Sequence, residues 1–338
     1  LLWTDADLSD GELEVLRNLR DPATTVVYHN EFQANPKHYQ FCPSVAYTIQ
    51  HIRRAIDDGK KISIHCDRRK TAKELHTLLL RQYPRLRVFY LDGTSPAEEK
   101  RKVRDCNRVF LQYDVVLSTP CIMYGVDFHP GGGQEKYFDR VYGIFQGQSV
   151  DWQGAFQMLE RVRELRENLV FVTVEPGEAE HRFVSEEEIE TGMNRSRQDW
   201  EKHVAITDEQ KQILQSCLLT GNDPFPLMLR NAWYAKRCTE SNYLGWLVAR
   251  ASDSGGSVSF VQWETLVEAG EKENKEMTET EQDRKAIRAS DEKLRVKRIL
   301  EAPALTTEQY EAGKTARQRG ETLPAESEAA MEQFCIRR

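Results

Sequence analysis

The residues with the greatest chemical potential lie between Asp151 and Arg166, in the segment DWQGAFQMLERVRELR. Helical periodicity predicts one helix from about Trp152 to Arg166, on which Gln153, Gln157 and Arg161 recur at i, i+4 and i+8 and share a face, with Arg163 to one side. A guanidinium is a permanently charged, planar fork of donors. Two of them at one helix end suit phosphate oxygens, and can stabilise the charge that develops when a triphosphate on a neighbouring domain is hydrolysed. The same pattern also fits a solvated face at the edge of a sheet, and residue types alone leave both readings open.

A second concentration of chemistry is electrostatic. The chain carries a net charge of −7, yet residues 51–110 hold sixteen Lys or Arg against eight Asp or Glu, so the remainder carries −15. A local excess of this size is either a solvated face or a track for a polyanion. No GxxxxGK[ST] loop occurs, and Gly131 to Gly133 lead into Gln-Glu-Lys, which reads as a loop between strands. This chain alone is therefore not expected to cradle a nucleotide's phosphates. His65 and His129 read as structural histidines rather than metal ligands or acid/base groups, and Asp5 with Asp7 as an interdomain contact; no metal site is expected. Trp233, Tyr234, Trp246 and Trp263 fit helix-core packing better than base stacking.

The elements that must position these groups alternate. Strands are expected at Thr25 to Tyr28, Lys61 to Cys66, Arg87 to Gly93, Tyr113 to Thr119, Arg140 to Phe145 and Leu169 to Glu175. Helices are expected from Ser44 to Asp58, stopped by Gly59, from Arg69 to Tyr83, and after a capping box with Ser95 at the cap, Pro96 in the first turn and Glu98 three residues on. Such alternation predicts an α/β fold with a mostly parallel sheet and right-handed crossovers, and it places ligands at the carboxyl ends of the strands. The loops after Cys66, Leu91, Thr119 and Phe145 are then the ones that face a ligand.

With 338 residues and 39% hydrophobic content, the chain is large enough for two or three domains with a sizeable core, which excludes a wholly disordered chain. No apolar run approaches the roughly 18 residues of a membrane span, and the first ten residues lack the pattern of a secretory signal. The seven cysteines are scattered with no CxxC pair, which argues against a disulfide framework or zinc knuckle. After position 180 the character changes to an acidic run at Glu186 to Glu188 and helical pattern over Asp208 to Leu219 and Leu227 to Ala251. A polar break at Ser252 to Ser257 follows, and from about Glu271 an exposed, charged helical or partly disordered tail.

In order, KKISIHCDRRKTAKELHTLL, VFYLDGTSPAEEKRKV, YDVVLSTPCIMYGVDF, FDRVYGIF and QGAFQMLERVRE resemble motifs IV, IVa, V and VI of a superfamily 2 helicase. The opening LLWTDADLSDGELEVL resembles the motif III region of the branch containing herpesvirus origin-binding proteins and plasmid and phage replication proteins. The resemblance covers positions 1 to about 180. It implies a division into the end of a first RecA-like domain and connector (1–40), a second RecA-like domain (41–180), a helical extension (181–270) and the charged tail (271–338).

That resemblance assigns Arg161 and Arg163 as arginine fingers, with Gln157 near the nucleotide and Gly125 and Asp127 on the Gly-x-Asp of motif V. Ser118 and Thr119 fall where hydroxyls touch the nucleic-acid backbone, and Arg68, Arg69, Lys70 and Thr94 where phosphate contacts belong. The pattern departs at Glu160, where Gly is common before the first finger, and at Tyr124, where Thr is usual; the second arginine follows after two residues rather than three. The implied activity is an ATP-dependent DNA helicase of replication initiation, with ATP and Mg2+ bound mainly by an upstream first RecA-like domain. Its implied partners are DNA, single-stranded during translocation, and replication proteins, in the cytoplasm of a prokaryotic host or the nucleus for a eukaryotic virus. A non-catalytic replication scaffold and a double-strand translocase are the alternatives.

Overall fold

The computed structural model describes residues 36–122, 126–129, 136–147, 149–175, 191, 242–261, 270–318 and 323–336. The expected strand at Thr25 to Tyr28, the opening motif with Asp5 and Asp7, the Gly131 to Gly133 loop, the acidic run from Glu186, the helix over Asp208 to Leu219 and most of that from Leu227 lie outside these residues. So do Tyr124, Trp233, Tyr234 and Trp263.

Among the described residues, seven strands form one parallel sheet: β1 (His38–Cys42), β2 (Ile62–Cys66), β3 (Val88–Leu91), β4 (Val115–Ser118), β5 (Arg140–Phe145), β6 (Leu169–Val174) and β7 (Ser257–Phe260). Their order is β3-β4-β2-β5-β6-β1-β7. β2 and β4 are buried at every position, Ser63, His65 and Ser118 included, because both faces of the parallel sheet are covered.

The faces are divided by the direction in which the chain moves. Going from β1 to β2 and on to β3, it crosses one face with α1 (Val45–Asp57) and α2 (Arg69–Gln82). Returning from β3 to β4 and from β5 to β6, it covers the other with α3 (Ala97–Lys102), a run of helical turns to Gln112, and α4 (Trp152–Leu159). A fixed crossover hand requires this change of face when direction reverses. Alternation along β5 follows suit: Tyr142 and Ile144 join Ile49, Ile52, Leu75 and Leu79 on the first face, and Val141 and Phe145 join Phe156 and Leu159 on the second. This is the α/β architecture expected of a RecA-like domain.

Local signals account for most boundaries. Ser44 accepts from the Tyr47 N–H to cap α1, and Gly59, at φ 72°, stops it in a conformation that costs glycine little. Ser95 does not cap as the sequence suggested; α3 starts at Ala97, and the Ser95 hydroxyl accepts from the Asp92 N–H at 2.9 Å. Between residues 242 and 261 the chain returns to the sheet. A helix at 242–253 (α5) puts Tyr243, Leu247 and Ala251 into the second face, and β7 adds to β1 at the sheet's edge. Trp246 of α5 stacks on Trp152 at 5.7 Å.

Three helices follow, α6 (Gly270–Glu301), α7 (Thr307–Gln318) and α8 (Ala325–Ile336). Ile287 anchors α6 in the core formed by α1 and α2. Arg284 of α6, with 4% of its side chain exposed, meets Glu281 at 2.9 Å, Glu175 at 3.5 Å and Glu74 at 3.7 Å. Of the described residues, Cys42, Cys66, Cys106, Cys121 and Cys335 are free thiols, and no helix is long and apolar enough to cross a membrane.

Close packing joins β5 to α4. A Cβ at Gly143 falls 2.5 Å from Cε2 of Phe145 and 2.7 Å from Cδ2 of Leu159, both side chains fully buried. Gly143→Ala should therefore cost about 1–3 kcal/mol by overpacking. Urea unfolding of the chain measures it; an unchanged midpoint would mean that α4 can shift outward freely.

Candidate functional site

The carboxyl ends of the strands carry most of the polar residues singled out above. After β2, the Asp67 carboxylate accepts through Oδ2 from the N–H groups of Gln146 at 2.8 Å and Gly147 at 3.0 Å, in the loop after β5. Arg68 bonds to the Gln146 side chain, whose amide in turn donates to Glu175 after β6. A polar chain thus runs across three strand ends, and Glu175 passes it to Arg284 of α6. Asp67 and Gln146 were missed because neither belongs to a pattern along the chain; only sheet order makes them neighbours.

Arg69 and Lys70 are exposed in the first turn of α2, and neither forms an ion pair with another described residue. Thr94 is exposed after β3, where its backbone N–H and its hydroxyl each donate to Asp92 Oδ1 at 2.8 Å. Ser118 and Thr119 are different. Ser118 is 1% exposed and bonds to His65 Nδ1 at 2.9 Å, and Thr119 is 4% exposed with its hydroxyl 3.4 Å from Cys121 Sγ. His65 itself is buried between Ser63 and Ser118, and burial, with the charges of Arg161 and Lys37 nearby, holds its imidazole down at about 3. It is a neutral link inside the sheet.

The arginine segment does not continue as a helix. α4 ends at Leu159 with Glu160 as its cap, so Arg161 lies in the following turn and Arg163 in an extended run; the expected face of Gln153, Gln157 and Arg161 does not extend to Arg161. The reason is a competing set of contacts. Val162 and Leu165 are buried in the second core, and Phe128 takes the backbone as a parallel bridge. Its N–H donates to the Arg161 carbonyl at 2.8 Å, and its carbonyl accepts from the Arg163 N–H at 3.2 Å.

This bridge brings the two arginines to the segment after β4. Arg161 Nη1 donates to the Val126 carbonyl at 2.8 Å, and Arg163 Nε donates to Asp127 Oδ1 at 2.6 Å. Arg163 and Asp127 are about half exposed. Gln157 is half-buried on α4, and Gly125 lies outside the described residues. Lys37, just before β1, is buried beside this turn, and burial pulls its ammonium below the ordinary lysine range.

No family model matches the chain. Over 168 residues, 49% of the chain, it is 27% identical to a protein of African swine fever virus named for a helicase/primase complex, and this stretch is 15% of that protein. Over 86 residues, 24% of the chain and 8% of the relative, it is 30% identical to an Acanthamoeba polyphaga mimivirus protein named as an uncharacterized helicase. The chain thus matches only a small part of the length of these relatives. Among solved structures, the helicase MrfA bound to DNA is 15% identical, with 40% of this chain and 20% of that one covered and a TM-score of 0.30. By its sequence relatives, the chain carries a helicase-like domain.

Asp67 offers a test of the site's electrostatics. Burial pushes its carboxyl from the ordinary 3.8 up to about 6, against the pull of the Gln146 and Gly147 N–H groups and of Arg68. The folded state therefore holds this proton more tightly than the unfolded chain. The resulting stability is complete below about pH 4 and is lost as pH rises through about 6. The melting temperature of Asp67→Asn relative to wild type should accordingly rise between about pH 4 and 6 and level off above about 7. A pH-independent difference would show that folding leaves the Asp67 carboxyl at its ordinary pKa.

Proposed function

We propose that this chain supplies the second RecA-like half of an ATP-dependent DNA helicase acting in replication initiation. The observation that carries the reading is the turn at Glu160 to Arg163. Two guanidinium groups two residues apart are fixed by backbone bonds to the strand-end segment 126–128, and the second is paired with Asp127. The names of the viral relatives, given for helicases and a helicase/primase complex, support the same direction.

In this reading, Arg161 and Arg163 face a nucleotide held mainly, with its Mg2+, by an upstream first RecA-like domain, and Gln157 lines the approach. A guanidinium suits that place because it cannot lose its proton and its donors match phosphate oxygens in pairs. The Arg163 and Asp127 pair keeps that side chain oriented without desolvating it, since both groups remain half exposed. Hydrolysis then depends on how closely the two domains meet, and domain closure couples it to movement along DNA.

The nucleic-acid contacts fall at the other strand ends. Arg69 and Lys70 at the start of α2 and Thr94 after β3 offer exposed donors to phosphates, and Arg68 stands behind them, oriented by Gln146. Ser118 and Thr119 lie beneath these groups, Ser118 joining β4 to β2 through His65 and the Thr119 N–H bonding the Leu91 carbonyl at the end of β3. Single-stranded DNA and other replication proteins are the partners in this reading.

Arg161→Ala in a protein that joins this chain to its nucleotide-binding domain should lower ATP turnover by a factor on the order of 10³, with nucleotide binding less affected. Steady-state hydrolysis with and without single-stranded DNA measures this, and turnover at the wild-type rate would remove Arg161 from the mechanism. Replacing Arg69 and Lys70 by Ala should weaken binding alike for unrelated sequences and flatten the slope of log affinity against log salt by about 0.7 per lost contact. An unchanged slope would make these two side chains solvated surface.

A further inference from the structure

Glu160 interrupts the expected motif with a carboxylate, and that carboxylate is fully engaged. Lys37 Nζ donates to Glu160 Oε2 at 3.0 Å and to the Val162 carbonyl at 2.8 Å, and the Tyr39 hydroxyl donates to Glu160 Oε1 at 2.6 Å. The Lys37 side chain is 3% exposed and that of Glu160 26%. Both donors come from the start of β1, more than a hundred residues away in sequence, and together they grip the positions on either side of Arg161. Phe128 holds the Arg161 carbonyl from the other direction. The turn is therefore pinned between β1 and the segment after β4.

An ammonium this deeply buried is costly unless it is paired and hydrogen-bonded, so its presence calls for a return that an apolar residue could not give. Surface complementarity is not that return, because the group is out of solvent. What an apolar pair at these positions would lack is direction: two charged bonds and a phenol bond fix both oxygens of Glu160 and the carbonyl of Val162, and so fix the backbone from which the Arg161 side chain departs. A glycine at 160 offers no such hold.

We propose that Lys37 and Tyr39 are positioning residues for Arg161, acting through Glu160. The proposal rests on the reading of Arg161 as the nucleotide-side arginine. It assigns to β1, outside the helicase-like motifs, the task of setting how far that guanidinium reaches across the domain interface. A displacement of the turn by about an ångström would cost turnover without altering how the nucleotide is held on the opposite domain.

The test is ATP turnover by the protein carrying the nucleotide-binding domain, in variants compared with Arg161→Ala. Lys37→Met and Glu160→Ala should each lower kcat roughly 10- to 100-fold with KM for ATP nearly unchanged. Glu160→Gln, which can still accept from Lys37 and meet Tyr39, should retain most of kcat, and Tyr39→Phe should fall between. Should Lys37→Met not fold, the comparison of Glu160→Gln, Glu160→Ala and Tyr39→Phe decides the matter. Amide exchange of the Phe128 and Arg163 N–H groups in the 338-residue chain should be faster in Glu160→Ala than in Glu160→Gln. Loss of kcat in Arg161→Ala with wild-type kcat in Glu160→Ala and Tyr39→Phe overturns the positioning role alone. Wild-type kcat in Arg161→Ala overturns the reading of Arg161 and this proposal with it.

Discussion

Burial of a parallel sheet on both faces is the constraint from which the rest of the molecule follows. A parallel ladder cannot be closed by tight hairpins, so every strand must be joined by a crossover that also covers a face. β5, wedged between β2 and β6, feels this most: Tyr142 and Ile144 fill one core and Val141 and Phe145 the other, and Gly143 leaves room for α4 to approach. Because the strands all run one way, their carboxyl ends and the loops that leave them collect along a single edge. The polar residues after β2, β3, β5 and β6 meet there for that reason and no other.

Charge is distributed to suit that edge. Much of the basic excess in residues 51–110 is not free to meet a polyanion. Arg53 donates to Thr280 at 2.7 Å and lies 3.8 Å from Asp283, and Lys73 meets Asp291 at 2.8 Å, all of α6. Arg284 and Arg288 of the same helix settle on Glu74, which is 3% exposed. A buried carboxylate between two guanidiniums is stable only while both remain. α6 is thereby tied to α1 and α2 by complementary charge as well as by Ile287, and the exposed Arg69 and Lys70 at the start of α2 take no part in that pairing.

The turn after α4 illustrates how tertiary contacts overrule local preference. The segment from Trp152 to Arg166 has the composition of a helix throughout, and helix propensity over its last turns would favour continuation. Continuing would break the parallel bridge at Val162 and leave the backbone of Phe128 without its partners. Stopping at Leu159 completes the parallel bridge with Val162 and Leu165 buried, and hands the Glu160 carboxylate to Lys37 and Tyr39. The gain in hydrogen bonding outweighs the few tenths of a kcal/mol per residue at stake in propensity.

The sequence by itself determined many of the elements, because strand and helix periodicity are local: β2, β4, β5, β6, α1 and α2 lie within two residues of where their patterns put them, whereas β1 and β7 were not expected. Asp127 and the basic start of α2 were singled out by the family resemblance rather than by periodicity, and for Arg161 and Arg163 the residue types alone left a solvated face equally open. Neighbourhood was decided only in three dimensions. That Ser118 turns inward to His65, that Asp67 clasps the loop after β5, that Arg163 finds Asp127, and that Lys37 reaches Glu160 across 123 positions are consequences of sheet order and of which face each crossover covers. Periodicity records which side of an element is buried, but not against what, and the partner of a buried polar group is fixed by the packing of elements far apart in the chain.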